Sequence, residues 1–217
     1  MAPKHIAFIM DGNGRWATAH GLERKDGYAA GLDALKRVLA ACVKHKVEVV
    51  SVYAFSTENL ARPDAEIAAI MNVVKSFNLT YDGDMKIIYM GDIDALDDDV
   101  ADSVRLVEDR TANNSQITLN IALNYGAQDD ISRACLLSYD HNDFTAKGFE
   151  KRLSTAGLPP LDALVRTGGE KRLSNFMLYE CAYSELFFLD KMWPDMDCDD
   201  VERIFAEFEK RNRKFGK

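Results

Sequence analysis

Asp11, Gly12, Asn13, Gly14 and Arg15 follow directly on the apolar run Ile6 to Ile9, within the stretch MDGNGRWATA. A carboxylate, two glycines, an amide and a fixed positive charge therefore stand together at the C-terminal end of an expected strand. Open α/β folds bind ligands at that edge of the sheet. Gly12 and Gly14 free the backbone to turn, so that successive N–H groups converge on an anion, and Arg15 adds charge. A carboxylate beside a phosphate site repels the ligand unless a cation lies between them, and oxygen-ligated Mg2+ is the usual one. Taken alone, the five residues also read as a tight Asp-Gly turn followed by a helix cap.

A second group, Arg166, Thr167, Gly168, Gly169, Glu170, Lys171, Arg172, Leu173 and Ser174, sets two arginines and a hydroxyl around a diglycine turn. Arginine's planar fork suits phosphate oxygens, so this is a second anion pocket. Ser174 reads either as part of that pocket or as the N-cap of a helix running toward Tyr183. Ser56, Thr57, Glu58 and Asn59 end the second apolar run on the same edge as Asp11, where Asn59 also reads as a simple turn residue.

The elements that must carry these groups alternate. Apolar runs at Ile6 to Ile9, Val47 to Phe55, Met85 to Met90, Ile117 to Leu123, Ala163 to Val165 and Leu186 to Leu189 are expected strands. Leu32, Leu35, Val38, Leu39, Cys42 and Val43 fall on one helix face. The pattern implies an α/β fold with a mostly parallel six-stranded sheet wrapped by helices. Glu66 to Phe77 reads as a helix opened by Pro63 and Asp64, and its apolar residues cover more than one face: it is a buried helix or the wall of an apolar cavity. Leu79 to Asp84 reads as a polar turn. Asp97 to Ala112 and Asp199 to Arg213 read as charged amphipathic helices, and Trp16 as core packing.

The chain has 217 residues, room for one sizeable domain spanning 1–217, with a formal charge of −8. That charge argues against a general nucleic-acid or anionic-membrane surface. A phosphorylated ligand must then be held locally against the overall field, which singles out Arg15, Arg24, Arg166 and Arg172. Cys42, Cys135, Cys181 and Cys198 have no zinc-ligand spacing and read as reduced, mostly buried thiols. No run reaches the ~20 apolar residues that span a bilayer, and the N-terminus lacks the apolar region of a signal peptide. The expectation is a cytoplasmic protein without stable membrane insertion.

The segments HIAFIMDGNGRWA, YAFSTENLARP, LNIALNYGAQDDI and DALVRTGGEKRLSNFMLYECAYSELFF, with MWPD from Met192 to Asp195, occur in this order over nearly the whole chain. Together they resemble the cis-prenyltransferase family. The resemblance implies a Mg2+-dependent homodimeric enzyme acting on prenyl diphosphates, with an apolar prenyl tunnel walled by the helix after Pro63. It assigns metal binding to Asp11 and Glu185, and the allylic diphosphate to Gly12, Asn13, Gly14, Arg15 and Arg24. The homoallylic diphosphate falls to Arg166, Arg172 and Ser174. Proton removal or orientation of the acceptor alkene falls to Asn59 with Asp11, beside Ser56. The ending Arg211 to Gly216 resembles a motif that reaches the partner subunit's site, with Lys214 where arginine is usual.

Departures bear on the product. Tyr28 stands where the family usually has histidine, Leu60 replaces a tryptophan, and Gln128 replaces an arginine. The phrase Asp26 to Ala30 looks like the lavandulyl-type branch, which joins allylic diphosphates at a middle carbon, whereas Asn13 and Gly14 stay closer to the chain-elongating branch. The stretch Leu79 to Asp84 is shorter than usual, which implies a short product. A catalytically silent partner subunit is a further alternative, against which the intact Asp11, Arg166, Arg172 and Glu185 count. A nucleotide-phosphate enzyme such as a kinase is disfavoured, because no GxxxxGK[ST] segment occurs.

Overall fold

The computed structural model describes residues 2–211. Six strands, β1 (His5–Ile9), β2 (Val49–Ser56), β3 (Lys86–Met90), β4 (Thr118–Tyr125), β5 (Ala163–Arg166) and β6 (Glu185–Phe188), form one sheet in the order β3-β4-β2-β1-β5-β6. Every pairing is parallel. Strands of such a sheet are covered on both faces, which is why β1 and β5 are buried at every residue and read as unbroken apolar runs. From β1 the chain moves to β2 on one side, and it later returns on the other side as β5. This reversal opens a crevice at the carboxyl ends of β1 and β5.

Seven helices are described: α1 (Asn13–Ala19), α2 (Arg24–Lys44), α3 (Asp64–Thr80), α4 (Asp98–Thr111), α5 (Ala127–Asp140), α6 (Ala146–Glu150) and α7 (Cys198–Lys210). Leu35, Val38, Leu39 and Cys42 of α2 and Val201, Ile204, Phe205 and Phe208 of α7 bury their stripes in one cluster with Phe8, Val52 and Ile121 of the sheet. A second cluster on the same face joins Phe55 and Leu123 to Ile70, Met71 and Val74 of α3 and to Val100 and Val104 of α4.

All six expected strands form, within two residues of the expected bounds. Three expectations change. α3 runs on through Leu79 and Thr80, so the turn is shorter than Leu79 to Asp84; it is closed by the Met85 amide donating to the Tyr81 hydroxyl at 2.7 Å. Trp16 is half-buried on the surface rather than packed in the core, with Nε1 donating to Asp195 at 2.7 Å and its ring stacked on His20. Only Cys42 of the four thiols is buried; Cys135 and Cys198 are exposed.

Candidate active site

The first anion-binding loop is held by its own main chain. The Asp11 carbonyl accepts from Thr167 Oγ1 at 2.7 Å and from the Trp193 amide at 3.0 Å, which ties the end of β1 to the segments after β5 and β6. Gly12 then turns with φ +112, a conformation that a side chain resists, and a Cβ there would lie 2.7 Å from the Met192 sulfur. The first helical bond of α1 runs from the Trp16 amide to the Gly12 carbonyl. The amides of Asn13, Gly14 and Arg15 therefore precede the helical ladder at the cavity wall. The Asp-Gly turn thus opens a helix, and it leaves those amides at the cavity wall.

Arg166, at the end of β5 and 4 % exposed, meets this loop directly. Its Nη2 donates to Asp11 Oδ2 at 2.9 Å, and its Nη1 donates to Ser174 Oγ at 2.8 Å and to the Arg172 carbonyl at 2.6 Å. Among the described residues its buried Nε has no hydrogen-bond partner. Arg15 Nη2 donates to Asp11 Oδ1 at 3.2 Å, and a Cβ on Gly168 would lie 2.6 Å from that nitrogen, so the diglycine turn must be bare where the two loops touch. The two loops line one wall of the same cavity.

Ser174 is not a helix N-cap. It has φ +48, the following residues to Tyr179 form turns, and its hydroxyl serves Arg166. Arg172 is largely exposed and pairs with Glu170 at 2.5 Å. Glu185 is not brought to Asp11 within the chain. It is the first residue of β6, level with Ala163, which is itself level with Ile6 at the amino end of the sheet. Five residues of extended chain, roughly 16 Å, separate that level from Asp11. Its carboxylate accepts from Arg211 at 3.1 Å instead. Beyond Arg211, residues 212–216 of the C-terminal motif lie outside the described residues.

Ser56 and Asn59 cap each other in a short 3-10 turn, Thr57–Ala61, on the cavity wall. The Asn59 amide oxygen accepts from the Ser56 amide at 3.3 Å, and its NH2 remains as a donor on the cavity wall.

Glu66 is a site residue that the sequence reading treated only as part of a helix. Buried on α3, its carboxylate accepts from Tyr28 Oη at 2.7 Å, from Arg62 Nη1 at 3.0 Å and from Arg24 Nη1. Arg24 in turn packs over Gly14, whose added Cβ would meet Nε at 3.0 Å. Burial alone would raise the Glu66 pKa, but the Tyr28 hydroxyl and the charges of Arg62 and Arg24 hold it below the ordinary carboxylate value. Burial, then the bond to Glu66, pushes the Tyr28 phenol up to about 12, so it stays a donor. With its folded-state pKa below the unfolded one, Glu66 adds stability above about pH 4.3, lost as pH falls through the folded value. Glu66→Gln is expected to cost about 1–2 kcal/mol, given partners that are partly exposed. In a chain of this size that lowers Tm by about 2–8 °C; an unchanged melting curve would count against the clamp.

These residues border one cavity of about 1070 Å³. Its mouth holds Asp11, Gly12, Asn13, Gly14, Arg15, Arg24, Arg166, Arg172 and Ser174. Its interior is apolar, formed by Leu32 and Leu35 of α2, Ile70, Val73, Val74 and Phe77 of α3, and Val52 and Ile121 of the sheet. Among the described residues no group of three or more His, Cys, Asp and Glu could hold a metal alone. Mg2+ commonly takes one or two carboxylates and fills its shell from substrate phosphates and water. The carboxylates of Glu58 and Glu66 also border the cavity, held by Asn175 and by the arginine clamp as that of Asp11 is held by Arg15 and Arg166, but Asp11 directly precedes Gly12 and the amides that open α1. Asp11, beside the anion loop, fits the role.

The site is a charged mouth opening into an apolar interior, at the carboxyl edge of a parallel α/β sheet. Residues 9–216 match the family model described as "putative undecaprenyl diphosphate synthase", and the chain belongs to this prenyltransferase family. An isoprenyl transferase of Treponema denticola is 38% identical over 98% of this chain and 97% of its own length. Lavandulyl diphosphate synthase from Lavandula x intermedia, solved in complex with dimethylallyl diphosphate, superposes with a TM-score of 0.93 at 27% identity, covering 100% of this chain and 99% of that one. A probable undecaprenyl diphosphate synthase from Campylobacter jejuni superposes with a TM-score of 0.85 at 29% identity over the whole of both chains. The protein is a prenyltransferase. No helix among the described residues is long and apolar enough to cross a membrane.

Proposed function

We propose that the chain condenses an allylic diphosphate, dimethylallyl or geranyl, with a second prenyl diphosphate, giving a product of about two or three isoprene units, since each buried CH2 is worth about 0.8 kcal/mol and the shortened turn after α3 limits that burial. The observation that carries the reading is the Asp11–Arg166 contact at the mouth of an otherwise apolar cavity. The allylic C–O bond breaks and its electron pair leaves with the diphosphate. The acceptor alkene attacks the cation, and the carbocation this leaves passes a proton to an oxygen of the released diphosphate, closing the new double bond. The amides of Asn13, Gly14 and Arg15 with Arg24 hold the departing diphosphate, and charge gathering there is stabilised most by donors already in place. Arg166 and Ser174 hold the acceptor's diphosphate. The walls of α2 and α3 keep water from the cation. Bound Mg2+, held by Asp11 and the diphosphate, would act as a Lewis acid on the leaving group.

We take residues 1–217 to work as one domain, in the cytoplasm, as a homodimer. Exposed Leu136, Tyr139 and Phe144 and the place of β6 at an edge of the sheet support the last assignment.

A second reading, head-to-middle coupling of two allylic diphosphates, is favoured by the superposition on the lavandulyl enzyme and by Tyr28 on the cavity wall. Both acceptor types carry a diphosphate, which is all Arg166 and Ser174 recognise. Products from dimethylallyl and geranyl diphosphates, each with and without isopentenyl diphosphate, separate the two. Condensation only with isopentenyl diphosphate gives ordinary elongation, and a branched product from allylic substrates alone gives the irregular route. Long polyprenyl products would overturn the length assignment, and no product from any pair would overturn the proposal.

A further inference from the structure

We infer that Asn175 is a positioning residue for the acceptor substrate: it fixes Ser174 at the acceptor's diphosphate and ties that pocket to the 3-10 turn that carries Asn59. The inference rests on the prenyl-transfer reading above. Ser174 and Asn175 have φ +48 and +63, and Met177 has φ +46. Residues with side chains leave this region unless their surroundings hold them in it. Arg166 holds Ser174 from one side, donating to its hydroxyl at 2.8 Å. The anchor on the other side is Asn175, the next residue.

Three polar atoms of Asn175 are bound to two other elements. Its carbonyl accepts from the Ala127 amide at 2.8 Å, and its Oδ1 accepts from the Gln128 amide at 2.9 Å. Both amides lie in the first turn of α5, where the helix itself offers them no acceptor. Its Nδ2 donates to Glu58 Oε1 at 2.9 Å. These partners fix which way the side-chain amide points, because a main-chain N–H needs an oxygen and a carboxylate needs a donor. Gly126 leaves room for the junction: an added Cβ would lie 2.8 Å from Asn175 Nδ2 and from Thr57 Oγ1. Below it, Phe176 stacks on the Tyr53 ring of β2 with centroids 4.4 Å apart. Glu58 and Asn59 are neighbours in the 3-10 turn, and both this turn and Ser174 border the cavity. The spacing between diphosphate anchor and wall sets where an acceptor's alkene comes to rest, and the Asn175–Glu58 bond fixes that spacing directly. Asparagine suits the position, since it tolerates positive φ and supplies an acceptor and a donor together.

Three variants of the full-length protein test this. Asn175→Gly keeps the positive φ and the carbonyl but loses both side-chain bonds. Asn175→Asp keeps the acceptor for Gln128 and sets a carboxylate against Glu58. Adding Glu58→Gln to Asn175→Asp restores a hydrogen bond across that contact with its direction reversed. The readouts are calorimetry with isopentenyl diphosphate alone and the Michaelis constant of each substrate at saturating cosubstrate. Asn175→Gly and Asn175→Asp should each weaken isopentenyl diphosphate binding and raise the acceptor's Michaelis constant about tenfold, while the allylic constant changes by less than about twofold. The double variant should return to within about threefold of wild type, as a directly coupled pair does. Asn175→Gly decides the matter if the aspartate variant fails to fold. No rise, equal rises for both substrates, or a double variant as weak as Asn175→Asp would overturn the inference. A wild type that binds isopentenyl diphosphate but forms no product with any pair would overturn the proposed reaction instead, and calorimetry would still decide on Asn175.

Discussion

Asp11→Ala is expected to lower turnover by at least about a hundredfold, a loss on the order of 3 kcal/mol or more, the scale seen when one preorganised electrostatic stabiliser is removed. In the proposed reaction the carboxylate would hold Mg2+ at the cavity mouth, and it fixes Arg15 and Arg166. The fold should persist, because the end of β1 is held by the Asp11 carbonyl and not by its side chain. Asp11→Asn keeps an acceptor for Arg166 while removing the charge, so it should unfold like wild type and still be slow. Steady-state rates with circular dichroism check both variants; an alanine variant that keeps most of the wild-type rate would remove Asp11 from the chemistry.

The strands were legible because a parallel sheet buries both faces and writes itself as apolar runs, as in β1 and β5. α5 was not, for a physical reason. The residues it buries are Ala127, Asp130, Ala134 and Ser138, small or polar, so its inner face carries no hydropathy signal. α1 likewise buries only Ala17. In the site, Asp11 to Arg15 and Arg166 to Ser174 announce themselves because local sequence supplies both the turn and the charge. Glu66 could not be found that way, since its meaning lies in Tyr28 and Arg24, 38 and 42 residues distant. Glu185 shows the converse: a residue type can fit a motif while strand register puts it at the amino end of the sheet, away from Asp11 within the chain. A buried-helix glutamate flanked by apolar residues, as in Glu66, is the one signal that could have raised suspicion, because such a charge needs partners.

Arg166→Ala and Arg172→Ala, paired by sequence as members of one pocket, are expected to behave differently. Arg166 is buried and sends donors in three directions, to Asp11, to Ser174 and to the Arg172 carbonyl. Its loss leaves Asp11 short of a partner and unlocks the turn that forms the second pocket. The expected cost in kcat/KM is about 3 kcal/mol or more, the scale of breaking a buried ion pair. It should raise the Michaelis constants of both substrates, because the guanidinium stands in the wall between the two anion sites. Arg166→Lys should not rescue it, since one ammonium cannot reproduce a fork aimed at three acceptors. Arg172 is exposed, and its side chain pairs with Glu170. Arg172→Ala should therefore raise the Michaelis constant of the non-ionising substrate alone, by about tenfold or less, in keeping with an exposed charge. Michaelis constants measured for each substrate at saturating cosubstrate separate these outcomes. Equal losses for the two variants on the two substrates would mean that the pockets do not share Arg166, and that the site is divided as the motif alone implies.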